Sequence, residues 1–250
     1  MQNYKIIVAY DGTNYHGWQM QHECISVTQV LQDSFKKAFH KLITIVGASR
    51  TDAGVHSAGQ VAFFSLDFAI DAEDMRFAWN NVLPPSVVIR SITPVSSAFH
   101  PQKNVIQKTY YYHIFLKRPL PFFARYGWFF RRPFSLEELR DCLQVFVGTH
   151  DFRSFVTLDD EKKSTIRTID EISVDYIERY KAVRIAVRGR SFLHYMIRRI
   201  VGAALDTASH DHLNRSTLEK ALAEKNPQQS LQRAPASGLL LYKIRYEDIG

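Results

Sequence analysis

Residues 47–60 (GASRTDAGVHSAGQ) concentrate the residue types that chemistry needs. Three of the chain's 11 glycines fall here. Glycine permits positive φ and lets another backbone come close. Asp52 is the only carboxylate between Asp33 and Asp67. Arg50, two residues earlier, can pair with it and keep it ionised. An isolated carboxylate beside a guanidinium on a tight loop suits a nucleophile or a base. The same residues also suit an Asx-type turn, in which Asp52 bonds its own backbone. Spacing leaves both readings open.

The elements around this loop follow from periodicity. Residues 4–10 read as a strand, and residues 11–25 as a polar loop with Gly12 and Gly17. Ser26 can cap a helix whose apolar positions Val27, Val30, Leu31, Phe35, Ala38 and Phe39 keep the 3–4 spacing. Strands are expected at 43–48, 60–68 and 87–93, and a helix at 71–82 that stops before Pro84 and Pro85. After a connection at 94–104, a long strand is expected at 105–117. A helix capped by Ser135 and Glu138 should end at Gly148. Residues 157–166 read as a charged loop, and 169–177 and 182–190 as paired strands. A helix at 192–206, a short one capped by Ser216 and Glu219, and a last strand at 239–246 complete the chain.

Setting the short helix aside, both parts run β-α-β-β-α-β, the order of the ferredoxin-like split βαβ unit. The expected fold class is α+β: two ferredoxin-like halves, 1–100 and 101–250, forming a mixed sheet with helices on one face and a central basic cleft.

Composition narrows the partners. The chain has 250 residues, 46% of them hydrophobic, which excludes intrinsic disorder. Its net charge is +7. Residues 1–100 hold 7 Lys/Arg against 8 Asp/Glu, and residues 101–250 hold 25 against 17, so the whole excess lies in the second part. No acid interrupts residues 75–136, with nine Lys/Arg, or residues 179–205, with seven. In the strand at 182–190, Val183, Ile185 and Val187 point one way, and Arg184, Arg188 and Arg190 the other. Basic stretches interleaved with Tyr110, Tyr111, Tyr112, Phe115, Tyr126 and Trp128 suit RNA, whose phosphates need charge and whose bases need stacking surfaces. Cys24 and Cys142 stand alone, which fits a reducing cytosol. No apolar run reaches a membrane span, and no Gly-rich nucleotide-cofactor motif is present. His210-Asp211-His212 lacks a third ligand and reads as a polar loop, so no metal is expected.

Residues 49–57 (SRTDAGVHS) closely resemble the catalytic signature of the tRNA pseudouridine synthase A family. The resemblance continues in residues 10–19 (YDGTNYHGWQ), in Phe99-His100, and in Lys108, Tyr110, Tyr112 and Ile114 of the long strand. It runs on through His150-Asp151-Phe152, Ser154-Phe155, residues 192–198 (FLHYMIR), Ile200-Val201-Gly202, Ala234-Pro235 and Gly238-Leu239. It implies two α/β halves about a pseudo-twofold, with a basic cleft between them. The implied activity is conversion of uridine to pseudouridine at positions 38, 39 and 40 of the tRNA anticodon arm. A cytoplasmic homodimer needing no cofactor, with one tRNA touching both subunits, is implied as well. Asp52 matches the essential aspartate, Tyr110 the tyrosine that stacks on the target base, and Arg50 and Arg198 basic positions near the aspartate. Two positions depart from the family. Pro101-Gln102 stands where Ala-Arg is common, and Ser49 where Gly is common.

Overall fold

The computed structural model describes residues 1–157 and 164–247. Most of the charged loop expected at 157–166 therefore lies outside the described residues. The fold is α+β, and its chain divides into two compact units. The first is residues 1–106 with 240–250, and the second is residues 107–239. The last strand was expected to close the second half. It groups with the first unit instead, because Leu240 and Leu241 pair in parallel with His56 and Ser57.

In the first unit, β1 (Gln2–Tyr10) lies between β4 (Val87–Val95) and β3 (His56–Leu66), antiparallel to both. The far edge of β3 takes two partners at different heights. The short β2 (Val46–Gly47) pairs antiparallel with Phe63 and Ala62, and β11 (Leu239–Tyr246) pairs parallel lower down. Alternation in β1 buries Tyr4, Ile6, Val8 and Tyr10. Two helices, α1 (Val27–Phe39) and α2 (Ala72–Asn80), add Leu31, Phe35, Met75 and Trp79 to the same core. Ser26 caps α1 through Gln29 N–H, as expected, and Asp71 caps α2 through Glu73 and Asp74 N–H.

Two strand boundaries differ from expectation. Ile43 and Ile45 are buried, which produced the alternating pattern, but only Val46 and Gly47 join the ladder. Ile45 N–H bonds the Gln32 side chain instead of a strand. Conversely, β3 starts at His56 rather than Gln60, because β1 and β11 both extend the pairing to Ser57.

In the second unit, β5 (Val105–Phe115), β10 (Ala182–Gly189) and β9 (Glu171–Ile177) form an antiparallel sheet in that order, and β6 (Trp128–Phe129) runs parallel to the end of β5. A separate hairpin joins β7 (Gly148–Asp151) and β8 (Ile166–Ile169). Three helices complete the unit: α3 (Leu136–Gln144), α4 (Met196–Ala208) and α5 (Arg215–Glu224). Asn214, not Ser216, caps α5: its side chain accepts from Ser216 N–H at 3.0 Å, and Thr217 returns the bond. The basic stripe on β10 is largely neutralised. The register sets Arg184 opposite Asp175 and Arg188 opposite Glu171, and the pairs close at 2.9 and 2.5 Å.

Aromatic rings pack together in the core of the first unit. Trp79 meets Phe35 and Phe64 edge-on at 4.8 and 5.6 Å between ring centres, and its indole N–H donates to Ser34 Oγ at 2.9 Å. Truncation leaves a large cavity and an unfilled acceptor. Trp79→Ala should cost about 3–5 kcal/mol in urea unfolding.

Candidate active site

The Asp52 loop leaves β2 and enters β3, so both ends are anchored on one strand pair. Ala48 N–H donates to Val61 O at 2.8 Å. Gln60, fully buried, holds Ser49 from both sides: its Oε1 accepts from Ser49 N–H at 3.3 Å, and its Nε2 donates to Ser49 O at 2.5 Å. Ser49 does not have positive φ, so a side chain at this position carries no backbone strain.

The tip is held by the opening loop. Thr51 Oγ1 shares a 2.8 Å hydrogen bond with Tyr10 OH, and its carbonyl accepts from Trp18 N–H at 3.1 Å. Gly54 N–H donates to Tyr15 O, and Gly12 N–H donates to Nδ1 of the buried His56. The chains approach so closely that side chains would collide. A Cβ on Gly12 would sit 1.9 Å from Val55 O, and one on Gly17, whose φ is +83°, 2.3 Å from Thr51 O. The turn itself is closed by backbone, Val55 N–H to Asp52 O at 3.1 Å.

This frame presents Asp52 half-buried. Arg50 is exposed, and among the described residues no ion pair joins it to Asp52. The geometry thus gives no support to the expectation that Arg50 holds the carboxylate ionised. Gln102, which replaces the common arginine, donates to Gly47 O at 2.9 Å and so ties down the start of the loop.

Tyr110 and Arg198 lie in the second unit. Alternation on β5 puts Lys108, Tyr110 and Tyr112 on one face. Tyr112 is the core tyrosine: it is fully buried, its OH donates to Pro235 O at 2.8 Å, and burial pushes its hydroxyl pKa up. Tyr110 is 5% exposed and meets Phe192 edge-on at 5.3 Å. Arg198 does not extend along the surface of α4. It is buried, and its Nε donates to Ala234 O at 2.9 Å.

His210 belongs to a different neighbourhood, where Nδ1 bonds Asp206 O at 2.7 Å and Nε2 meets Arg132 at 2.7 Å. Among the described residues no three His, Cys, Asp or Glu converge as a metal site.

A family model described as tRNA pseudouridine synthase matches residues 6–102 and 143–247. The chain belongs to the tRNA pseudouridine synthase family. The Asp52 loop and Arg198 fall inside the matched stretches, and Lys108 and Tyr110 between them. Relatives in this family align over nearly the whole chain. Protochlamydia amoebophila tRNA pseudouridine synthase A 1 is 36% identical over 253 residues, covering 99% of this chain and 98% of that protein. Thermoanaerobacter sp. (strain X514) tRNA pseudouridine synthase A is also 36% identical, covering 98% and 100%. The Pseudothermotoga lettingae protein of that name is 32% identical, covering 98% and 100%. Among solved structures, one titled as a Cbf5-Nop10-Gar1 complex matches with a TM-score of 0.35 and 13% identity, over 79% of this chain and 52% of that one, too weak a likeness to carry an argument.

Several holding residues of this tRNA pseudouridine synthase were not legible as such. Tyr10 and His56 stood inside recognisable motifs, but nothing in spacing paired Tyr10 with Thr51 or His56 with Gly12. Gln60 showed no signal beyond its inward position on β3. Lys108, pushed down to about 8 by burial, is a further group that spacing did not single out.

Two predictions follow from this geometry. Gly17→Ala should destabilise by more than about 1 kcal/mol and should depress turnover more than RNA binding, because the strain falls on the Thr51 carbonyl beside Asp52. Parallel melts, activity assays and binding assays check this. Lys108 sets a pH dependence. Below about pH 8 both states hold its proton, and burying the charge costs stability in full. Between there and its ordinary value of 10.5, the native state has released the proton and the unfolded chain has not, so stability rises with pH. Lys108→Met should raise stability at neutral pH and flatten that rise in urea titrations.

Proposed function

We propose that this protein isomerises uridine to pseudouridine at positions 38, 39 and 40 of the tRNA anticodon arm, with Asp52 as the essential carboxylate. The observation that carries this is the Asp52 loop: one carboxylate between Asp33 and Asp67, half-buried and held by backbone bonds to Tyr15, Trp18 and Val61, in a member of this family. The reaction breaks the N-glycosidic bond, turns the uracil, and rejoins it through carbon. No atom enters or leaves, so it balances without a cofactor or metal. Asp52 has three chemically sound tasks. It can attack C1′ with uracilate leaving, as in a retaining glycosidase. It can take a proton from C2′ to give a glycal, or it can add to the uracil ring.

Tyr110 serves as the flat surface on which the uracil stacks once it has left the helix. Arg198, buried and bonded through Nε to Ala234 O, is a substrate-binding cation in this reading. Arg50, exposed, acts on RNA rather than on Asp52. The first unit brings the catalytic aspartate and the second most of the basic charge that holds RNA. Strand order β4-β1-β3-β2 with two helices supports reading the first unit as ferredoxin-like, and β5-β10-β9 supports the same for the second. A basic cleft that takes the anticodon arm is part of this reading, though Arg184 and Arg188 contribute less to it than their spacing promised. A cytoplasmic homodimer whose two subunits share one tRNA completes it. Among the described residues no helix is long and apolar enough to cross a membrane.

Asp52→Asn should abolish tritium release from C5-labelled uridine in tRNA and leave tRNA binding largely intact. Full turnover in that variant would overturn the assignment. Free uracil among the products would point to a base-releasing glycosidase instead. Binding should weaken steeply with salt, and a flat response would remove the charge argument.

A further inference from the structure

The structure assigns a second RNA contact: we propose that Arg199 and Arg233 form a seat for a phosphodiester of the RNA substrate, with the Tyr195 ring as its floor. This rests on the reading that the substrate is RNA.

Tyr195 starts α4 in a left-handed conformation, φ +61°, without a side-chain capping bond. A bulky residue held there is strained, and such strain persists only where the surroundings enforce it. Here they do. The His194 ring stacks on Tyr195 at 3.8 Å, and Arg199 N–H donates to Tyr195 O at 2.9 Å. Two guanidinium groups cover the tyrosine ring, Arg233 at 4.4 Å and Arg198 at 5.1 Å from its centre. Arg233 is placed by its neighbour: Ala234 N–H donates to Arg198 O, and Ala234 O accepts from Arg198 Nε, both at 2.9 Å.

Arg199 is half-buried, its Nη2 reaches Thr157 Oγ1 only at 3.4 Å, and its buried Nε has no hydrogen-bond partner. Among the described residues, neither Arg199 nor Arg233 pairs with a carboxylate. Burial, followed by the charge of Arg233, holds the Arg199 guanidinium below its ordinary pKa. Other arginines of this unit are treated differently. Arg184, Arg188 and Arg215 each face an acid at 2.5–2.9 Å. Two interacting guanidinium groups that meet no carboxylate among the described residues fit a planar-fork contact to a phosphate, which supplies charge and several acceptors at once.

The test uses the full chain with Arg233→Gln, Arg199→Gln and the lysine versions of each. In filter binding, each glutamine variant should weaken tRNA about tenfold, the worth of one charge-assisted hydrogen bond. Each should also lower the log–log salt slope by about one. KM should rise more than kcat falls, and lysine should restore part of the salt slope. A single uncharged methylphosphonate moved through the anticodon arm should reproduce the loss at one position and add nothing in the Arg233→Gln background. Unchanged affinity and slope would overturn the proposal. So would a loss matched by a fall in melting temperature that lysine does not rescue, or a methylphosphonate effect that adds fully to the variant. Pseudouridine formation by the unaltered protein is measured alongside. If it forms none, the functional reading fails, and the salt slopes still decide the seat.

Discussion

Backbone meets backbone where the opening loop crosses the Asp52 loop, and this approach sets what the carboxylate can do. Gly12 and Gly17 lie against the carbonyls of Val55 and Thr51 at distances no Cβ would tolerate. The contact satisfies polar groups that a tight loop would otherwise leave to water, through Trp18, Gly54 and Gly12 N–H. It also links the loop to the core, because Tyr10, which holds Thr51, belongs to the buried face of β1. Asp52 therefore inherits its position from a sheet packed on Phe35, Phe64 and Trp79. A carboxylate mounted this way, if it is the reacting group as proposed, needs little reorganisation when substrate binds.

Charge in this protein has to be judged by what faces each cation. The net +7 and the acid-free stretches both pointed to a polyanion. Strand register then removed two of the most conspicuous arginines: β9 sets Asp175 and Glu171 across from Arg184 and Arg188. Exposed pairs of this kind contribute little to stability, but they lower the local potential available to RNA. Among the described residues, Arg199 on α4 and Arg233 before Ala234 face no carboxylate. Sequence distance hid this, since Arg233 is 34 positions from Arg199.

Local signals were legible in the sequence where one residue suffices to make them. Ser26 and Ser135 cap the helices assigned to them, and β1, β4 and β5 fall close to their alternating runs. The misplaced features depend on a distant partner. The strand expected at 43–48 shrinks because alternating burial does not by itself create a ladder. The last strand changes unit because its partner, β3, lies 183 positions back from Leu239 to His56. The candidate site divides the same way. Asp52 stood out by isolation and motif, whereas Gln60, Tyr10 and His56 act through contacts that spacing does not encode. Arg50 shows the converse, since closeness in sequence to Asp52 produced no ion pair.

Tyr110 shares one face of β5 with the core tyrosine Tyr112, so its place depends on the register of the strand. Side chains alternate, so a slip of one residue against β10 would replace Lys108, Tyr110 and Tyr112 by Gln107, Thr109 and Tyr111. Tyr112 prevents that slip. Its hydroxyl is fixed on Pro235 O, and its ring lies against Gly238, where a Cβ would come within 2.4 Å. The opposite face is held too, by Arg184 over the Tyr111 ring at 4.8 Å. Register is thereby set from both sides of the strand. Tyr110, edge-on to Phe192 at 5.3 Å, takes its place on the strand from the register that these contacts fix.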